Sequence, residues 1–152
     1  MNEITFHYAQ FKRRFAACAI DFILIHLIYF GLAALVGTAF ASGGISAEGI
    51  AVLLGIVTGG FLLSITGLSL VYHSLFESSK LQGTPGKLML SIRVADLSGG
   101  RISLPLAILR NLSKVLSALP ICYGFWVAAN DPRHQAWHDR IGKTLVLESG
   151  NP

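Results

Sequence analysis

Hydrophobic positions in this chain come in long unbroken runs, not with the periodicity of a half-buried surface helix. From Phe15 to Phe40 the only charged residue is Asp21, and from Gly49 to Phe76 there is none. Each run exceeds the ~20 apolar residues that a helix needs to cross a bilayer. The pattern predicts transmembrane helices over residues 15–40 and 50–76, joined by the loop ASGGISAEG. A third run, LPLAILRNLSKVLSALPICYGFWVAAN (104–130), is less even. Arg110, Ser113, Lys114 and Ser117 recur along one helical face, and Pro120 interrupts. Its uncharged part, from Val115 to Asn130, is roughly 16 residues, short for a straight span. The pattern fits a kinked crossing or an interfacial helix followed by a re-entrant piece. Residues 77–103 are polar, with Gly83, Pro85 and Gly86 as punctuation. There LSIRVAD alternates like a strand, LSGG reads as a turn, and TLVLE (144–148) is a second strand-like stretch. If the two strands pair, both ends of the third segment lie on one side of the membrane.

The fold class expected is therefore an all-α membrane protein. It has two transmembrane helices, a third kinked or amphipathic membrane segment, and a small cytoplasmic β-element. Residues 1–152 form one domain, with 131–152 as its tail.

Composition agrees. The chain is 53% hydrophobic and 13% charged, against about 25% charged in soluble domains. Its mean hydropathy of +0.60 is too apolar for a soluble core of this size. A cleaved signal peptide is the rival reading of the first run, since Ala39-Phe40-Ala41 resembles a cleavage site. A signal's apolar region is only about 7–15 residues, however, and Asp21 would interrupt it. The net charge of +4 is distributed as an orientation signal. Lys12, Arg13 and Arg14 precede the first helix, Lys80, Lys87, Arg93 and Arg101 follow the second, and the loop between carries none. This places the N-terminus and residues 77–103 in the cytoplasm. The basic residues lack aromatic interleaving, so no nucleic-acid partner is expected. Cys18 and Cys122 sit in apolar segments and read as small hydrophobes, not as a disulfide.

The candidate chemistry centres on Asp21. Arg14 lies two turns earlier, about 10 Å along the axis, and can snorkel its guanidinium to the interface. Asp21 is too short to follow. An ionisable residue at such depth faces the protein interior, either as a functional group or as a pin between helices. Arg110 is about 9 Å into its own segment, a matching depth, so an Asp21–Arg110 pair is expected. His26 and His73 read either as local hydrogen-bonding groups or, with Asp21, as a proton relay. Gly55 and Gly59, with Gly60, Ser64 and Gly67 nearby, suit close packing against the first helix or against a second copy. In the tail, IGKT (141–144) echoes a phosphate loop, but Trp137 stands where that motif needs glycine. His134 and His138 lie four apart beside Asp139, yet Gln135 replaces the glutamate of H-E-x-x-H. No metal, cofactor or nucleophile–base set is legible, and an enzyme is not expected.

RRFAACAID, TPGKLMLSIRVADLSGG and WHDRIGKTLVL, in that order and spacing, resemble the RDD family of small membrane proteins, named for one arginine and two aspartates. The arginine matches Arg14, the aspartate within the first helix matches Asp21, and the second aspartate matches Asp139. Arg110 also sits where such proteins tend to carry an arginine. The chain departs from the family pattern at IGKT, where a small residue is expected before the glycine and another in place of Lys143. The resemblance implies a multi-pass protein of the bacterial cytoplasmic (inner) membrane. Some members have been linked to cation/proton exchange, and others look like modules of larger membrane assemblies.

Two functions follow. One is exchange of Na⁺ or K⁺ for H⁺ by a homo-oligomer, with Asp21, Arg110, His26 and His73 handling the ion or proton. The other is a non-catalytic module that binds a membrane protein partner, its arginines and aspartates acting as pins. Membrane lipid is a partner in both.

Overall fold

The computed structural model describes residues 6–44, 46–63, 67–119 and 123–149. The features noted at Ser64, Pro120 and Cys122 lie outside the described residues. Helix α1, Phe11–Ser42, has 32 residues, about 48 Å, which exceeds the ~30 Å hydrocarbon core. Most of its apolar side chains, Phe15, Phe22, Leu27 and Leu35 among them, are exposed. A helix apolar all round with so little buried is suited to lipid.

The chain divides into two compact units, Phe22–Ser69 and Met1–Asp21 with Leu70–Pro152. In the first unit the distal part of α1 packs on α2, Ala47–Leu63. The Tyr29 hydroxyl donates to the Val57 carbonyl, and Gly60 is the close approach: a Cβ there would lie 2.8 Å from the Tyr29 oxygen. Phe30 and Phe61 pack with ring centroids 5.8 Å apart. Gly55 and Gly59 have nothing within 4 Å of an added Cβ. The packing against the first helix expected of that pair is made instead by Gly60, because Tyr29 reaches that side of α2.

The second unit is built from α3 (Ser69–Ser78), α4 (Pro85–Met89), β1 (Ile92–Asp96), α5 (Leu104–Leu112), α6 (Lys114–Ala118), α7 (Tyr123–Asn130), α8 (Trp137–Ile141) and β2 (Thr144–Glu148). The expected helix over 50–76 therefore appears as α2 and α3, with residues 64–66 between them outside the described set. Strands β1 and β2 pair antiparallel, Ile92 opposite Glu148 and Asp96 opposite Thr144. The N-terminal segment joins the sheet where the Ala9 amide donates to the Val146 carbonyl at 2.9 Å. Ile92, Val94 and Val146 form the core with Ala9, Ala17, Ile102 and Ala107, while Leu145 and Leu147 pack with Phe6 and Tyr8. After β1 the Asp96 carboxylate accepts the Ser98 and Gly100 amides, at 2.8 and 2.9 Å, and Gly99 supplies the positive φ of +85°.

Helices α3 and α5 have inverted polarity. In α3 the buried residues are His73, Ser74 and Glu77, and in α5 they are Ala107, Arg110 and Asn111. Val71, Leu75, Leu104, Leu109 and Leu112 are exposed. Beyond α5, the axes of Leu104–Ala118 and Tyr123–Asn130 differ by 102°.

The turn from α8 into β2 brings Gly142 against α5, with an added Cβ 2.9 Å from Arg110 Cβ. It also forces Lys143 to φ +48°. This accounts for the small residue expected there. A left-handed L-residue costs about 1–2 kcal/mol, and glycine's greater freedom when unfolded returns about 0.5–1. Lys143→Gly should raise stability by roughly 0.5 kcal/mol, seen as a higher unfolding midpoint in detergent micelles.

Candidate functional site

Asp21 is fully buried on α1, and its partners come from α3 and from the start of α4. Gly86 packs so close to α1 that an added Cβ would lie 2.9 Å from Asp21 Cγ. At that distance the Gly86 amide donates to Asp21 Oδ1 at 2.8 Å, Thr84 Oγ1 donates to Oδ2, and the Tyr72 hydroxyl donates to Oδ1 at 3.1 Å. Pro85 has no N–H to offer, so Gly86 supplies one of the first helical amides of α4, a group that lacks an intrahelical partner. The expected Asp21–Arg110 pair is not formed. The physical reason is that Asp21 finds fixed neutral donors in TPGK, whereas Arg110 is taken by two other carboxylates.

Those carboxylates are Glu77 and Asp139, both fully buried. Arg110 Nε and Nη2 donate to Asp139 Oδ1 at 3.0 and 2.7 Å, and Nη1 donates to Glu77 Oε2 at 2.6 Å. Asp139 Oδ2 accepts from Arg14 and from the Ala136 amide, the latter at 3.0 Å at the start of α8. Arg14 also donates to the His134 carbonyl. Glu77 further accepts from Lys87 and, at 3.0 Å, from Asn111 Nδ2. Arg14, Lys87 and Arg110 thus face Glu77 and Asp139 in one chain of contacts linking α1, α3, α4, α5 and α8. Burial alone would raise the Asp139 carboxyl, but Arg14 and Arg110 hold it well below the usual carboxylate range. At Lys87 burial pulls the ammonium below its ordinary value, with Glu77 opposing.

The histidines take separate places. His26 Nδ1 lies 2.7 Å from the Phe22 carbonyl of its own helix. His73 Nδ1 is 3.9 Å from Glu77 Oε1, beyond hydrogen-bond distance. His134 Nδ1 meets the Ala128 carbonyl at 3.0 Å, while His138 Nδ1 meets Ser117 Oγ at 3.1 Å. His138 Nε2 lies 3.5 Å from Asp139 Oδ1, giving a Ser117–His138–Asp139 arrangement that the sequence does not make legible. It is a poor nucleophile set. Ser117 is fully buried beneath Gly124, whose added Cβ would lie 2.6 Å from Ser117 Cα. Burial pulls the His138 imidazole down to about 3, and both oxygens of Asp139 are already committed to other donors.

Of the residues singled out in the sequence, the structure brings Arg14, Arg110 and Asp139 into the network and holds Asp21 apart from it, and the network adds Glu77, Lys87 and Asn111, which the sequence did not single out. The signal available for Glu77 was its position as the first charge after a charge-free run.

The RDD family profile matches residues 8–143. The chain is also 30% identical over 146 residues to the uncharacterized protein YxaI of Bacillus subtilis (strain 168), covering 91% of this chain and 96% of that protein. No solved structure matches.

Two outcomes follow for stability. Arg110→Met leaves two buried carboxylates short of a cation and should cost about 3–5 kcal/mol in reversible denaturation in micelles. For pH, His138 has a folded value near 3 and an unfolded one of about 6.5. As pH falls between those values the unfolded state takes the proton first, so stability declines. Below about 4 the depressed Asp139 steepens the decline, because only the unfolded aspartate protonates there. His138→Gln should flatten the upper part of the profile and leave the lower part.

Proposed function

Because the chain belongs to the RDD family, a family of membrane proteins, we propose that it serves as a non-catalytic membrane module that holds a protein partner. In this reading its arginines and aspartates pin the fold. One observation carries it: the protein itself supplies donors to both oxygens of each of the three buried carboxylates. Asp21 and Glu77 each accept three hydrogen bonds and Asp139 four. A carboxylate that exchanges a cation for a proton needs free lone pairs and an accessible face, whereas these three are fully buried and most of their acceptor sites are spent on the fold. The charged groups at membrane depth, which otherwise argue for transport, are explained by one another. With the basic residues flanking the membrane helices as the orientation signal, the module lies in the bacterial inner membrane with its N-terminus cytoplasmic.

The test is proton flux in proteoliposomes with a trapped pH-sensitive dye, in Na⁺ and then K⁺, for the wild type and Asp21→Asn. The expected result is no cation-dependent flux above empty vesicles in either protein. Asp21→Asn should instead lose about 1–3 kcal/mol of stability, since its amide nitrogen is itself a donor and faces donors. Flux in the wild type that a still-folded Asp21→Asn lacks would make Asp21 a transport residue and sink the module reading.

A further inference from the structure

We propose that Lys114 binds carbon dioxide covalently, as a carbamate whose N–H is received by Asn111 and whose carboxylate is received by His73. The inference stands apart from the partner-module reading, and the proteoliposome test does not bear on it.

Three polar groups on adjoining helices lack partners among the described residues. His73 Nδ1 on α3 and Asn111 Oδ1 on α5 are buried side-chain atoms without a hydrogen bond, and both residues are only 6% exposed. Lys114, the first residue of α6, is partly buried and makes neither hydrogen bond nor ion pair. The three come together around Glu77. His73 lies one turn before it on α3, and Asn111 Nδ2 donates to Glu77 Oε2 at 3.0 Å. Lys114 is one turn beyond Asn111, close enough for their side chains to meet. Asn111 Nδ2 also donates to the Ala107 carbonyl at 2.9 Å, which fixes the amide with Oδ1 as the unpaired atom. A buried polar atom without a partner is destabilising, so Oδ1 calls for a donor and the ring nitrogen for a partner of its own.

Charge decides what the complement is. Arg14, Lys87 and Arg110 already face Glu77 and Asp139, and Lys114 adds a further cation. The groups that act electrostatically on its amine include Glu77, Lys87, Arg110 and Cys18. Lys114 is in turn the cation that acts most strongly on the His73 ring. Glu77 is not free to pair with it, because Oε1 accepts from Lys87 and Oε2 from Arg110 and Asn111. Asp21 is held apart by neutral donors. A lysine desolvated beside other cations is the setting in which its amine acts as a nucleophile.

The step needs no oxidant and no cofactor. The ammonium loses one proton to water, and the Nζ lone pair attacks the carbon of carbon dioxide. An N–C bond forms as one C=O π pair moves onto oxygen. A second proton then leaves nitrogen for water, giving –NH–COO⁻. The side chain passes from a positive to a negative charge, so Arg14, Lys87 and Arg110 are balanced by Glu77, Asp139 and the carbamate. The new N–H meets Asn111 Oδ1, and a carbamate oxygen accepts from His73 Nδ1. Glu77 Oε1, 3.9 Å from that nitrogen, favours the tautomer with its proton on Nδ1. An ammonium turned inward answers Asn111 alone, offers His73 no acceptor and brings its charge nearer to Lys87 and Arg110. A water molecule satisfies both atoms and leaves the excess charge in place.

The experiment incubates the full chain in detergent micelles with ¹³C-labelled bicarbonate at mildly alkaline pH. The ¹³C spectrum should show one strong carbamate resonance, distinct from bicarbonate. Lys114→Gln should abolish it, whereas Lys80→Gln, at an exposed lysine, should leave it intact. His73→Phe keeps an aromatic ring, removes the donor and should lower the occupancy about tenfold. Lys114 holds no partner in the fold, so Lys114→Gln should melt like the parent. Trapping with triethyloxonium followed by peptide mass spectrometry locates the adduct in the wild type without any variant, and it should fall on Lys114. No adduct on Lys114, or a resonance that Lys114→Gln retains, would overturn the proposal.

Discussion

The second unit depends on Arg110. Its guanidinium is planar and fully charged, with donors in a fixed fork, and here the fork is shared between Asp139 on one side and Glu77 on the other. Burying any one of these ions alone would cost several kcal/mol. The cost is met only because Arg14, Lys87, Asn111 and the Ala136 amide complete the remaining valences of the two carboxylates. The network binds segments that are far apart in sequence, and it does so where apolar surfaces cannot. The outer faces of α3 and α5 are turned to the surroundings, so the inner faces are cemented by charge.

Asp21 follows a different logic from its neighbours. No cation meets it. It is held by a hydroxyl on either side and by the Gly86 amide, all of them neutral dipoles fixed by the fold. A carboxylate at the start of α4 also favours that helix electrostatically, although α4 is too short for the effect to be large. The consequence is mechanical: the loop leading to β1 is tied to α1, which places Lys87 where it can reach Glu77. The two aspartates thus serve one architecture from two levels, Asp21 anchoring the loop and Asp139 anchoring the tail.

Part of this was legible in the chain. The apolar run from Phe15 to Phe40 forces a long lipid-suited helix whatever surrounds it, because backbone groups in hydrocarbon must be satisfied internally. The alternation in LSIRVAD and TLVLE marked the strands and suggested their pairing. Arg14 and Asp139 were marked in the sequence as the motif's arginine and second aspartate, and the fold brings the two into contact. The Asp21–Arg110 pair was not formed, because depth along a helix fixes one coordinate of a side chain and leaves its azimuth and its competitors open. The Gly55–Gly59 pair does not pack on α1 for a similar reason: spacing shows that a helix face is smooth, and only the neighbour's side chains decide which smooth face that neighbour uses.

The sequence by itself determined what is local or compositional: the membrane-length helix, the strands, the turn at LSGG, and the family motif of Arg14, Asp21 and Asp139. Tertiary structure alone decided who pairs with whom. Glu77, Lys87 and Asn111 are unremarkable in the chain and become partners only when α3, α4 and α5 converge. The physical reason is that hydrophobic runs and turn chemistry act over a few residues, whereas a buried charge is satisfied by whichever donor the whole fold brings within 3 Å.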